Sequence, residues 1–148
     1  MNRILFFLFP AGLALASEWP QAAGPNGNFV SAGESPGAFS VSQNEGVRWR
    51  SKLPSTGQGT PVVSGGRVFV TSHDEITEDS QTGSAILGMC FDARTGKELW
   101  RRKIGGTRKT DLSSLFSDNT AASPVTDGKR VVFVNVGGTI KCFDYEGE

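Results

Sequence analysis

The chain is poor in the residues from which catalytic and metal sites are most often built. It carries one histidine, His73, and two cysteines, Cys90 and Cys142. A single histidine makes neither a catalytic triad nor a metal centre on its own. Two cysteines far apart in the chain are not the disulfide framework of a small secreted domain. Neither sign of charge is in excess, since 15 Lys plus Arg stand against 15 Asp plus Glu. That balance leaves no electrostatic footprint for nucleic acid or an anionic membrane. Beyond the N-terminus, no segment is apolar enough to cross a bilayer.

The first residues read as an address. Arg3 supplies positive charge, residues 4–9 are an unbroken apolar run, and residues 11–16 continue it with small side chains. Ala14-Leu15-Ala16 has the small residues at both ends that a signal-peptidase site needs. Residues 1–16 are therefore expected to be a signal peptide cleaved after Ala16, leaving a secreted or periplasmic chain. The run is short for a membrane span, and an uncleaved anchor is the alternative. No cysteine lies near the cleavage site, so a lipoprotein anchor is not expected.

The remaining sequence is rich in glycine, with 19 residues in all, and its apolar stretches are short and rich in Val and Phe, which argues for β structure. Its most informative feature is self-similarity. Thr60-Pro61-Val62-Val63-Ser64-Gly65-Gly66-Arg67 reappears as Ser123-Pro124-Val125-Thr126-Asp127-Gly128-Lys129-Arg130. Each copy enters an apolar strand, Val68-Phe69-Val70-Thr71 in one and Val132-Phe133-Val134-Asn135 in the other. Cys90-Phe91-Asp92 reappears as Cys142-Phe143-Asp144, and Val47-Arg48-Trp49-Arg50 echoes Leu99-Trp100-Arg101. The Ser-Gly-Gly-Arg and Asp-Gly-Lys-Arg segments are tight turns between strands, hence hairpins. Third strands are expected at 86–91 and 139–143. A turn at Arg94-Thr95-Gly96-Lys97 leads to a fourth strand through Leu99 and Trp100. Four antiparallel strands per unit, recurring every 50–60 residues or so, describe a propeller blade. The expected fold is all-β, an incomplete β-propeller with about two blades visible. Residues 17–45 are read as an N-terminal extension and 46–148 as the repeats. Blade one spans about 46–104, and blade two, truncated, about 120–148.

These residues carry a family resemblance. Cys90-Phe91-Asp92-Ala93-Arg94-Thr95-Gly96-Lys97-Glu98-Leu99-Trp100 resembles the tryptophan-docking motif A-x-D-x-x-T-G-K-x-x-W of PQQ-type propellers. Asp92, Thr95, Gly96, Lys97 and Trp100 fall in register, and Cys90 stands where the family usually has Ala. The segment from Cys142 through Asp144 to Gly147 is similar to the start of the next copy, with a shorter turn. Trp19-Pro20-Gln21 and Gly24-Pro25-Asn26-Gly27 are similar to the opening of many secreted PQQ-like proteins of bacteria. In such a motif Asp92 bonds to the turn that follows it and Gly96 takes the left-handed conformation. Trp100 packs between neighbouring blades, and Trp49 does the same for the preceding blade edge. Propellers close with roughly four to eight blades. The chain is therefore expected to be part of a longer protein and to fold poorly alone. A ring of several copies or a shortened inactive product are the alternatives.

The resemblance implies one of two functions. BamB-like and other PQQ-like repeat proteins are non-catalytic scaffolds that bind protein partners in the bacterial envelope and need no cofactor. The missing lipobox cysteine departs from BamB itself. The alternative is part of a quinoprotein dehydrogenase that oxidises alcohols or sugars with PQQ and calcium. The adjacent cysteine pair of methanol-dehydrogenase-like relatives and a c-type haem motif are both absent.

Other candidates have bland readings. Cys90 and Cys142 are expected to fill equivalent slots for small buried residues, with a disulfide or reactive pair as the sharper reading. His73 is read as part of a surface loop. Asp74, Glu75, Glu78 and Asp79 are read as a solvated acidic loop rather than a calcium site. Arg101, Arg102, Lys103, Arg108 and Lys109 are read as exposed charge, with no interleaved aromatics for nucleic acid. In the connection at 111–120, Asp118 and Asn119 are the polar residues most worth watching. Gly65-Gly66 and Gly137-Gly138 open no helix, so hairpin turns rather than phosphate cradles explain them.

Overall fold

The computed structural model describes residues 18–31, 37–74, 85–107 and 118–148. The expected signal peptide and its cleavage site lie outside the described residues. So do Glu75, Glu78, Asp79, Arg108, Lys109 and residues 111–117.

Among the described residues seven strands follow in order: β1 (Val62–Ser64), β2 (Arg67–His73), β3 (Ile86–Asp92), β4 (Glu98–Ile104), β5 (Val125–Thr126), β6 (Arg130–Asn135) and β7 (Thr139–Asp144). They form two antiparallel sheets, β1-β2-β3-β4 and β5-β6-β7. No helix occurs among the described residues. The turns explain the topology. Gly65 and Gly66 both have positive φ, 55° and 73°, the pair of conformations a two-residue hairpin with strand-matched twist requires. In the second unit the Asp127 carboxylate accepts the N–H groups of Lys129 and Arg130 at 2.9 and 2.7 Å. Each closed hairpin then leaves alternate side chains on opposite faces.

One face of each sheet meets the other sheet. Val62, Phe69, Ile86, Cys90, Trp100 and Ile104 of the first pack with Val131 and Phe133 of the second. Phe143 and Tyr145 complete this core from the partly buried rim. The opposite face of the first sheet carries a second cluster, Val70, Leu87, Met89 and Phe91, with Leu53 and Val68 against it. Stacked, twisted antiparallel sheets joined this way are blades, and the two together form an incomplete propeller.

The repeat is aligned differently in space than the strand strings suggest. Phe69 pairs with Val62 and Cys90, and the residue that pairs with Val125 and Cys142 is Val132. The counterpart of Phe69 is therefore Val132, not Phe133. Val131 is the counterpart of Val68, so the phenylalanine stands one position later in the second repeat, and a one-residue offset in a strand reverses the face. Phe69 and Phe133 therefore both face the seam between the sheets, each against Trp100.

The fourth strand is longer than expected. β4 runs to Ile104, so Arg101, Arg102 and Lys103 belong to a strand rather than to the segment after it. A bulge between Cys90 and Phe91 absorbs Leu99, since Cys90 pairs with Trp100 and Phe91 with Glu98. Upstream, Trp19 forms a bridge with Val63 through two backbone bonds of 2.7 and 2.9 Å. The Pro20 carbonyl accepts the N–H of Thr126 at 2.9 Å. This short segment laces the first strands of the two sheets together.

Candidate functional site

The motif residues build two equivalent joints. In the first turn, Asp92 Oδ1 accepts the N–H of Arg94 at 3.1 Å, the N–H of Thr95 at 2.7 Å and the Thr95 hydroxyl at 2.7 Å. The hydroxyl and N–H of Thr95 hold this carboxyl below its ordinary pKa. The turn closes with Gly96 N–H on the Asp92 carbonyl and Gly96 at φ 72°. In the second turn Asp144 Oδ1 accepts the N–H groups of Glu146 and Glu148 at 3.0 and 2.9 Å. Gly147 N–H reaches the Asp144 carbonyl at 3.2 Å, and Gly147 has φ 87°. The Lys97 N–H donates to the Thr95 hydroxyl at 3.3 Å, and the Lys97 carbonyl accepts the Asp92 N–H.

A tryptophan sits in each turn. Trp49 donates its indole N–H to the Ala93 carbonyl at 2.8 Å, and Trp100 donates to the Tyr145 carbonyl at 2.8 Å. A Cβ on Gly96 would lie 2.5 Å from the Trp49 ring, and one on Gly147 2.9 Å from the Trp100 ring. Each glycine is required twice, by its φ and by the ring above it. Trp100 is the larger joint because it bridges the sheets. Its ring lies 6.0 Å from Phe69, 6.2 Å from Phe133 and 6.0 Å from Phe143. Arg102 caps it, 5.9 Å from the ring centroid, and donates to the Gly147 carbonyl at 2.8 Å.

Polar bonds continue the seam. The buried Asn135 donates to the Ile104 carbonyl at 2.9 Å and accepts Gly137 N–H at 2.8 Å. One side chain thus ties β4 to the β6–β7 turn, a role absent from the sequence reading. Its one local signal is an Asn shortly before Gly-Gly, a side chain suited to bond the turn that follows. Thr126 and Tyr145 share a hydroxyl bond of 2.7 Å.

His73 is not in a surface loop. It is the last residue of β2, paired with Ile86, and is 8% exposed. Its Nε2 lies 3.0 Å from the Asp118 carboxylate. At this end of the strand the carboxylate meets the imidazole Nε2 and the Thr56 carbonyl accepts the His73 backbone N–H at 2.8 Å, while the buried Nδ1 has no hydrogen-bond partner among the described residues. Burial opposes ionisation of Asp118, but the bonds from Thr120 and His73 prevail and lower its pKa. Asn119 is buried beside it, and its carbonyl accepts Val136 N–H at 3.3 Å.

The two cysteines differ. Cys90 is buried, and burial pushes its thiol up to about 12. Cys142 is exposed, and both are free thiols. The expectation of two equivalent buried slots fails at Cys142, because β4 covers the Cys90 strand and β7 is the outermost strand of its sheet. Of the strand-borne basic residues, Arg101 and Lys103 are exposed as expected and Arg102 is half-buried, and each reaches an acidic partner. Arg101 pairs with Glu98, Arg102 with Glu148 and Lys103 with Asp74. Gly65-Gly66 and Gly137-Gly138 stand in hairpin turns. No group of three or more His, Cys, Asp or Glu able to hold a metal occurs among the described residues. Nor is any described helix long and apolar enough to cross a membrane.

Blades joined by tryptophans seated in Asp- and Gly-built turns define the class as a PQQ-type propeller. The family model described as outer membrane protein assembly factor BamB matches residues 11–86 and 81–148. The chain belongs to this family of PQQ-like repeat proteins. No curated protein and no solved structure matches it.

Proposed function

We propose that this chain is a non-catalytic propeller wall that binds protein partners in the bacterial envelope and works without a quinone. One observation carries the reading: large apolar side chains stand exposed beside an extended segment that lies in no described sheet. Phe39 and Val41 are 64% and 54% exposed next to residues 47–50. Apolar patches next to unpaired backbone are the chemistry of protein docking. Four of the described carboxylates already have structural tasks: Asp92, Asp127 and Asp144 organise turns, and Asp118 is held by His73 and Thr120. The family's description as an outer membrane assembly factor points the same way. Export through residues 1–16, with cleavage after Ala16, belongs to this proposal.

A photo-crosslinking residue at Phe39, compared in cells with one at Lys97, tests the reading. Crosslinks to envelope proteins from position 39 alone are expected. Saturable binding of PQQ with Ca²⁺ to the purified chain, with alcohol-dependent dye reduction, would overturn it in favour of a quinoprotein dehydrogenase.

A further inference from the structure

The extended segment before the first sheet carries charge of one sign on one face. Val47, Trp49, Ser51 and Leu53 are half-buried, while Arg48, Arg50 and Lys52 between them are exposed. Alternation with a period of two is the pattern of an extended strand. It stands the three cations in a row, each about 7 Å of backbone from the next, two residues at the strand rise. Among the described residues none of the three has an acidic partner, because the ion pairs join other residues. Arg101, Arg102 and Lys103 of β4 differ, since each of them is paired. Residues 37–52 as a whole hold these three cations against one acid, Glu45.

An apolar cleft lies beside the row. Phe39, Val41, Val47 and Trp49 line a space of about 360 Å³, flanked by Arg48 and Arg50. Its walls are fixed from both sides. Ser40 and Glu45 exchange two backbone bonds of 2.9 Å, which close the hairpin that carries Val41. The Arg50 guanidinium donates to the Val41 carbonyl and ties that hairpin to the row of cations. Trp49 is held by its indole bond to the Ala93 carbonyl. Walls set before anything binds spare part of the ordering cost of docking.

We infer that this surface docks an extended segment of a partner protein that alternates acidic and apolar residues. This rests on the reading that the exposed apolar patch binds protein, and it names the chemistry of that partner. Carboxylates at every second position match Arg48, Arg50 and Lys52 in spacing and in sign, and opposite charges across neighbouring strands attract. Apolar side chains between them suit the cleft of Phe39, Val41 and Trp49. A row of cations alone would suit any polyanion. The apolar cleft beside it and the two-residue spacing suit a strand. The charges act at exposed positions, so salt screens them and weakens the complex.

The test is fluorescence anisotropy of a labelled peptide of four Glu-Val repeats, titrated with the purified full chain. A peptide of four Lys-Val repeats is the control. The Glu-Val peptide is expected to bind saturably, about tenfold or more tighter than the Lys-Val peptide, and to weaken as salt rises from about 0.05 to 0.5 M. Arg48→Glu with Lys52→Glu should weaken it by about tenfold and should raise the affinity for the Lys-Val peptide, a gain that a misfolded chain would not show. Lys129→Glu, which reverses an exposed cation on the β5–β6 turn, should leave both affinities unchanged. Equal affinity for the two peptides, or no saturable binding of either, overturns the inference. Binding of phosphatidylcholine–phosphatidylglycerol vesicles that the double variant abolishes and the Glu-Val peptide does not compete also overturns it, in favour of a lipid surface. If the peptides fail while position 39 still crosslinks to envelope proteins, the scaffold reading stands with a partner of different chemistry.

Discussion

Trp100 donates its indole N–H to the Tyr145 carbonyl at 2.8 Å, across the seam between the two sheets. The same ring touches Phe69 on its own sheet and Phe133 and Phe143 on the other. A single side chain therefore supplies both the apolar filling and the directional bond of the joint. Replacing it with alanine should destabilise the full chain by about 3–5 kcal/mol, the range for truncating a large buried aromatic. Trp100→Phe keeps most of the packing and loses the bond, so a smaller loss of about 1–2 kcal/mol is expected. Urea unfolding followed by circular dichroism ranks the two, and equal losses would mean the bond rather than the packing dominates.

The turns beneath the tryptophans give a sharper contrast. Gly96→Ala and Gly147→Ala each force a Cβ into an indole and a side chain into a left-handed conformation. Each should cost more than about 1 kcal/mol. Gly105→Ala adds a Cβ that meets nothing within 4 Å and stands at no positive φ. It should leave the urea midpoint unchanged.

Much of this architecture is legible in the chain, and the limits are physical. The hairpins follow from glycines and Asp127, whose effects act within a few residues, and the docking motif is equally local. What escapes local reading is long-range. His73 looks like the start of a polar loop until Asp118, 45 residues later, is brought to its imidazole. Phe69 and Phe133 look like copies until the ladder pairs Val132, not Phe133, with Val125 and Cys142.

Acid should expose the His73–Asp118 contact. The pKa of Asp118 is lowered in the fold, so its contribution is complete above the unfolded carboxylate value of about 3.9 and is lost as pH falls through the folded value. Asp127, held down to about 2 chiefly by the N–H groups of Arg130 and Lys129, behaves in the same sense. Thermal unfolding of the full chain should therefore move to lower temperature as pH drops from about 5 towards 2. Asp118→Asn should lower stability at neutral pH and flatten that dependence. An unchanged pH profile in the variant would remove Asp118 from the account.

The thiols should separate by reactivity. Cys142 is exposed and Cys90 is buried with its pKa pushed up to about 12. A thiol reagent at neutral pH should modify one cysteine at low protein concentration and the second only in denaturant. Two cysteines that react alike in the folded chain would contradict the placement of Cys90.

The central claim is that a tryptophan of one structural unit is seated in the Asp- and Gly-built turn of the next. Hydrogen exchange at the indole N–H groups, followed by nitrogen-edited NMR of the full chain, reads it directly. The account predicts slow exchange at Trp100, bonded to Tyr145, and at Trp49, bonded to Ala93, each released when Gly147→Ala or Gly96→Ala disturbs its own turn. Exchange of both indoles at the rate of free tryptophan in the folded chain would contradict it.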